Sequence, residues 1–292
     1  MNQLFLIAPN KSNIFQVLVN NKWELRSLIF NLKDYSDIKC TKLFDNSILF
    51  ICTNRFDCNY YKYFHLDGSI NTKLSRDSRF NNRINSFLQN RSLYSLVSLN
   101  NGDNFIIGGL VDGYPMNSIL GFNFETSKYA TIKMKTGLIG ASAVVLSGGR
   151  ILIIGGTDHT NNSTKTCQIF DPITCKFTYT KSMHYARAFS SCVLLPNGNI
   201  FVSGGENNDT IYNSCEEYDI IRDEWVLISP MINSRSKHTS ILIDSNNVLV
   251  LGGITNLSVS TLTCEIYNIS TKKWNLSENL LEECVNGSII LF

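Results

Sequence analysis

Two adjacent glycines close a short apolar run four times in this chain, in "IIGG" ending at Gly109, "IIGG" at Gly156, "VSGG" at Gly205 and "VLGG" at Gly253. The steps between them are 47, 49 and 48 residues, a period that marks an array of similar supersecondary units. A second series keeps the same beat. Tyr129, Phe177, Trp225 and Trp274 each open a short apolar run, and seven residues before each stands another aromatic: Phe122, Phe170, Tyr218 and Tyr267. A chain with several phased landmarks per unit has to stack those units, because no one of them can enclose a core.

Residues 188–231 show what one unit is. They read as four strands, "AFSSCVLL", "NIFVSGG", "SCEEYDI" and "EWVLISPM". The turns "PNG" and "DIIRD" follow the first and third, and the longer polar "ENNDTIYN" follows the second. A four-stranded antiparallel sheet cannot bury both its faces, whereas radial stacking buries them and leaves only short edges. The glycine pair then falls near the crowded inner part of the ring, where a missing side chain admits close backbone approach and positive φ. Gly108, Gly109, Gly155, Gly156, Gly204, Gly205, Gly252 and Gly253 are therefore the expected structural landmarks. Trp225 and Trp274 are expected to fill space where the units diverge outward.

The double glycine, the Tyr-then-Trp pair, and the approach to the next first strand at Met183–Arg187 and Met231–Arg235 resemble the kelch motif, clearly over residues 92–280. The resemblance implies an all-β, six-bladed kelch-type β-propeller with four antiparallel strands per blade, forming one domain over 1–292. Residues 1–75 read as two degenerate blades. One is "LFLIAPN", "IFQVLV" and "KWELRSL", with Trp23 in the aromatic role; the other is "DIKCTKLF", "SILFICTN", "YYKYFHLD" and "SINTKLS", without glycines. The first lacks a first strand and the segment 285–292 supplies an orphan one, "GSIILF", so the C-terminal strand is expected to close blade one, as kelch propellers commonly do. A seventh blade is disfavoured by length, and a parallel β-helix by its much shorter period.

Composition narrows the function. The 292 residues carry a net charge of +2 with 17% charged side chains, so no whole-protein field points to nucleic acid or a membrane surface. Nine cysteines, an odd number without any CxxC, read as reduced thiols. No stretch has the form of a secretory signal or the length of a membrane span. The expectation is a cytoplasmic location, in the host cytoplasm if the source is a pathogen or virus. Cys167, Cys215 and Cys264 each lie three residues before a third-strand aromatic, as equivalent small core residues would.

Four histidines occur, His65, His159, His184 and His238. The last three fall on one face of neighbouring blades, either as a metal cluster or, more simply, as ordinary loop residues. Related propellers include copper oxidases, sialic-acid isomerases and iron-dependent lyases. Their ligand and acid–base patterns do not stand out here, so the expectation is no enzyme, no cofactor and no metal.

Loops after the second and fourth strands share one face, which carries "LVDGYPMN", "TDHTNNST", "ENNDTIYN" and "ITNLSVST"; the other carries short turns. Long loops on a rigid scaffold are the usual seat of binding. On that face Arg91, Arg187 and Arg235 share one repeat position, which in blade four is Leu138, and Lys237 is close by. They either present donors to carboxylates at the channel mouth or brace contacts between blades. The resemblance implies arginines around this opening that hold acidic peptides, often two residues further on, where this chain has Leu93, Phe189 and Lys237.

Tyr114, Asp158 and Tyr212 complete the candidate surface. The segment 75–91 adds Arg76, Arg79, Arg83 and Arg91 against Asp77, with Phe80, Ile84, Phe87 and Leu88 at helical spacing. It is either a basic protrusion that anchors a partner or a helix packed on the propeller. The combined expectation is a non-catalytic protein-interaction module whose partner offers acidic and aromatic groups, with no nucleic acid and no membrane involved. The alternatives are a structural subunit of a larger assembly and, less favoured, a metal- or carbohydrate-active enzyme.

Overall fold

The computed structural model describes residues 4–7, 14–19, 22–27, 37–43, 45, 47–53, 58–63, 70–71, 78–256 and 259–291. Among them are six four-stranded antiparallel sheets. Five run in chain order from inside to outside. Blade two starts at Asp37–Lys42, blade three at Ser95–Ser98, blade four at Ser142–Val145, blade five at Ser191–Leu194 and blade six at Thr239–Leu242. Blade one closes the ring as expected. Its inner strand is the C-terminal Ser288–Leu291, which pairs antiparallel with Leu4–Ile7 in the register Leu4 to Leu291 through Ile7 to Ser288. The six inner strands touch in succession around the circle, with Ser288–Leu291 between blades six and two.

The second strands of blades two to five are buried throughout. Ile151–Ile154 and Ile200–Ser203 show no exposed residue because both faces of each sheet meet a neighbouring blade. The core therefore lies in the seams. Leu152, Ile154, Ile200 and Val202 fill the seam between blades four and five, and Phe201, Val248 and Val250 that between five and six. Each such side chain contributes about 1.5–3 kcal/mol when fully buried.

Both landmark series join one blade to the next. At Gly204 and Gly205 φ is +57° and +92°, a left-handed pair open to glycine, and the Gly205 N–H donates to the carbonyl of Arg235 at the start of blade six, 2.9 Å away. A Cβ on Gly204 would collide with that same carbonyl. Gly109, Gly156 and Gly253 donate in the same way to Leu138, Arg187 and Cys284. The tryptophans reach backward. The Trp225 indole donates to the Lys181 carbonyl at 3.0 Å, Trp274 to Ser229 at 2.9 Å and Trp23 to Glu278 at 3.3 Å, each on the chain leaving the preceding blade.

The segment before blade three contains the helix Ser78–Leu88. Phe80, Ile84 and Leu88 are buried among Leu49 and Ile51 of blade two and Ile106 and Phe122 of blade three. The helix is thus a wedge in that seam, which decides against a free protrusion. Arg83 remains exposed, 6.0 Å from the Tyr129 ring. Arg79 lies on the helix, but its side chain, like Arg76, Asp77 and His65 as a whole, is outside the described residues. No helix among the described residues is long and apolar enough to cross a membrane.

Candidate functional site

The face carrying the glycine pairs is built from three tiers. The deepest holds the arginines, and here the expectation of a basic channel mouth is corrected. Arg91, Arg187 and Arg235 are 3%, 0% and 0% exposed. Each side chain turns away from the opening and runs along its own blade toward the third strand. Arg187 donates to the carbonyls of Gly204 and Ser214, the Ser214 hydroxyl and Glu216 Oε1 at 2.8 Å. Arg235 repeats this with Gly252, Thr263 and Glu265 at 2.6 Å. The physical reason is that a cation this deep needs a carboxylate and further acceptors. The third strand and its approach supply the carboxylate, a hydroxyl and a carbonyl, the glycine turn adds a second carbonyl, and only Nε is left without a partner.

Glu216 and Glu265 then use their remaining lone pairs on the incoming chain. Glu216 accepts the N–H groups of His184 and Tyr185 and bonds the His184 ring at 2.9 Å; Glu265 accepts Ile232, Asn233 and the Asn233 amide. Arg91 has no carboxylate partner among the described residues. Its guanidinium lies 3.9 Å from the Phe87 ring and bonds Gly108, Phe87 and Ser118, and burial pushes its pKa down to about 10.

The middle tier is a belt of backbone around the channel. Gly140 N–H donates to Leu93, Phe189 to Gly140, Lys237 to Phe189 and Asn286 to Lys237, at 2.7 to 3.0 Å, and Lys39 Nζ reaches the Asn286 carbonyl at 3.1 Å. Leu93, Phe189, Lys237 and Asn286 all have φ between 53° and 55°. Left-handed backbone is an outlier for Leu and Phe; here the belt accounts for it, since the N–H groups of Phe189, Lys237 and Asn286 bond the preceding blade and the Leu93 carbonyl accepts from the next. Beneath lies a cavity of about 240 Å³ lined by the inner strands, including Lys39, Ser190, Lys237 and Ser240. Lys237 is paired with Glu206 at 3.3 Å and faces the Phe189 ring at 4.9 Å, so its charge is locally offset.

The outer tier is the loops. Tyr114 is 74% exposed at the tip of the Leu110–Pro115 hairpin. Tyr212 packs at 5.5 Å, tilted by 42°, against the exposed Tyr185, and both rings lie near Arg187. Asp158 closes its own loop through the Thr160 N–H and hydroxyl, and that hydroxyl bond is the main reason its carboxyl stays below the ordinary range. Ile232, Val259, Leu262 and Leu281 are also exposed here.

The histidines do not converge. His159 is exposed on its loop, His184 is held by Glu216, and His238 is buried with Nε2 2.9 Å from the Ser203 hydroxyl. Burial, then the charges of Arg235 and Arg187, press the His238 pKa well below its usual value. Among the described residues no group of three His, Cys, Asp or Glu could hold a metal. Cys167, Cys215 and Cys264 are buried, and desolvation raises their pKa to about 12, as core thiols.

With this geometry in view, residues 140–184 and 187–232 match the Kelch motif. The chain is a β-propeller that carries two Kelch motifs. Its fold is similar to that of a solved structure titled "Structure of YjhT", with a TM-score of 0.71 over 94% of each chain. At 11% identity the likeness is one of fold. A comparison with curated proteins finds no match.

In this propeller, sequence reasoning placed the arginines at the right repeat position but missed their partners Glu216 and Glu265. The signal was present: "CEEY" and "CEIY" carry an acid where a core strand should be apolar, in the two blades that also carry the motif "M…R".

Proposed function

We propose that this protein is a non-catalytic interaction module that binds a protein partner on the face carrying the glycine pairs. One observation carries the reading. Tyr114, Tyr185, Ile232, Val259, Leu262 and Leu281 are all at least 39% exposed on loops of that face, and those loops spring from backbone pinned by the interblade bonds of the glycines. Aromatic and apolar groups on a rigid base are what a protein interface uses for its hot spots. The burial of the arginines removes the ground for a strongly acidic partner, so the partner's complementary surface is mainly apolar and aromatic. The test compares binding of a purified partner to wild type and to Tyr185→Ala/Ile232→Ser/Leu281→Ser. A loss of affinity of about a hundredfold, with unchanged thermal stability, supports the reading; unchanged affinity overturns it.

A second reading, assembly through the outer strands, is favoured by Leu25, Val226, Leu227 and Leu276, each at least 44% exposed on a fourth strand. It predicts concentration-dependent self-association that Leu227→Lys/Leu276→Lys abolishes, read by light scattering.

A further inference from the structure

Blade four departs from its neighbours at one place. In blades five and six the guanidinium sits among a fixed set of acceptors: the first glycine's carbonyl, the carbonyl and hydroxyl of the residue two before the third-strand carboxylate, and that carboxylate. Blade four offers the corresponding groups on Gly155, Thr166 and Gln168, but Leu138 stands where the arginine begins. A leucine is too short to reach them. Two of the three, Thr166 and Gln168, line a cavity of about 310 Å³ together with Leu138 and Ile153, and Asp158, Lys135 and Tyr179 are among its other walls.

The polar groups of that cavity are underused. Gln168 is 7% exposed, and the only bond of its side chain to a described residue is a 4.0 Å contact to the Met134 sulfur; its side-chain oxygen accepts nothing from any described residue. The Gly155 carbonyl accepts nothing either, whereas Gly108, Gly204 and Gly252 each take an arginine N–H. Blade one shows that this is not the ordinary fate of a glutamine here. Gln16 occupies the equivalent position, and it accepts the N–H groups of Leu281 and Glu282 at 2.8 and 3.1 Å and donates to the Glu282 carbonyl at 2.9 Å. Gln168 and Gly155 thus keep the acceptors that their equivalents in blades five and six spend on an arginine, which points to a ligand.

We propose that this slot receives an arginine side chain from a partner polypeptide. The planar fork of guanidinium donors matches two carbonyls, a hydroxyl and an amide oxygen in the geometry the chain itself uses twice. Gln168 leaves the slot neutral, and the carboxylate of Asp158 supplies the charge at the rim, with Oδ1 held by Thr160. Tyr179, 53% exposed, offers a ring to the cation, as Tyr185 and Tyr212 do to Arg187 at 5.8 and 5.5 Å. Lys135 opposes it, but is exposed on a flexible stem that can keep its head in water. The proposal rests on the interaction reading only for the source of the arginine.

The test uses the full chain, labelled with ¹⁵N, titrated with N-acetyl-L-arginine methylamide and with the citrulline analogue, which has the same shape without the charge. The arginine probe is expected to shift the Gln168 side-chain amide and the Thr166 N–H, and to bind at least about tenfold more tightly than citrulline. Leu138→Arg/Gln168→Glu, which rebuilds the blade-five arrangement in the chain itself, is expected to abolish binding. Asp158→Asn should weaken binding about threefold and Lys135→Ala strengthen it about threefold. These two surface variants carry the test if the double variant does not fold. Absence of any Gln168 shift, or opposite signs for Asp158→Asn and Lys135→Ala, overturns the proposal. Because the probe needs no partner, its failure leaves the interaction reading standing, and failure of the loop variants leaves the slot standing.

Discussion

Blades four and five have the same four strands and the same glycine turn, yet they settle one interior position by opposite means. Blade five buries a charged pair, Arg187 with Glu216, both side chains 0% exposed. Blade four places Leu138 and Gln168 there, and loses both charges together. This concerted exchange is what buried ion pairs require. A pair costs roughly as much to desolvate as it regains, so neutral replacement of both is tolerated, whereas removing one leaves a stranded charge. Blade three is intermediate: it keeps Arg91 without an acid and shows the depressed pKa that follows.

The largest expected effect breaks the pair. Arg187→Leu alone or Glu216→Leu alone should lower stability by about 3–5 kcal/mol in urea denaturation. Arg187→Leu/Glu216→Gln, the blade-four solution, should cost clearly less than the sum. A double variant as unstable as that sum would show that the two arrangements are not interchangeable.

A smaller loss is expected at Gln16→Leu, about 1–3 kcal/mol, because the N–H groups of Leu281 and Glu282 lose a buried acceptor. The third concerns His238, a histidine where blade five has Ser190 and blade four Ala141. Its folded pKa lies below that of the unfolded chain, so the unfolded state takes up the proton first. Stability should therefore fall as pH drops below about 6.5, by up to about 1.4 kcal/mol per pH unit, until the folded pKa is reached. His238→Ala should flatten that part of the curve, and an unchanged slope would assign the dependence to other groups. The smallest effect is expected at Gln168→Leu, within about 0.5 kcal/mol of wild type, since this amide has only a sulfur contact to lose. A cost equal to that of Gln16→Leu would erase the distinction between the two glutamines.

Much of the framework was readable in advance from the phase of a few residues. Gly205 recurs in four blades and Trp225 in three because each clasps a neighbouring blade through a backbone carbonyl, so their spacing carries the repeat into the sequence. The closing role of "GSIILF" followed from counting strands, and the equivalence of Cys167, Cys215 and Cys264 from their fixed distance to an aromatic. The arginines were harder. Arg187 lies at a loop–strand junction, and nothing local distinguishes a side chain that points into solvent from one that runs inward to a carboxylate 29 residues later. The helix Ser78–Leu88 posed the same difficulty, because an apolar stripe specifies that a face is covered and leaves open by what.

The sequence by itself determined the period, the strand order within a blade and the residues that clasp neighbouring blades, because these follow from backbone geometry repeated at a fixed interval. Only the tertiary structure decided which polar groups are consumed inside the seams and which remain for a partner. That division depends on where side chains from distant strands meet, and burial turns the same arginine from a surface donor into an internal brace. It also turns Gln16 and Gln168, alike in residue and repeat position, into a satisfied strut in blade one and an open acceptor in blade four.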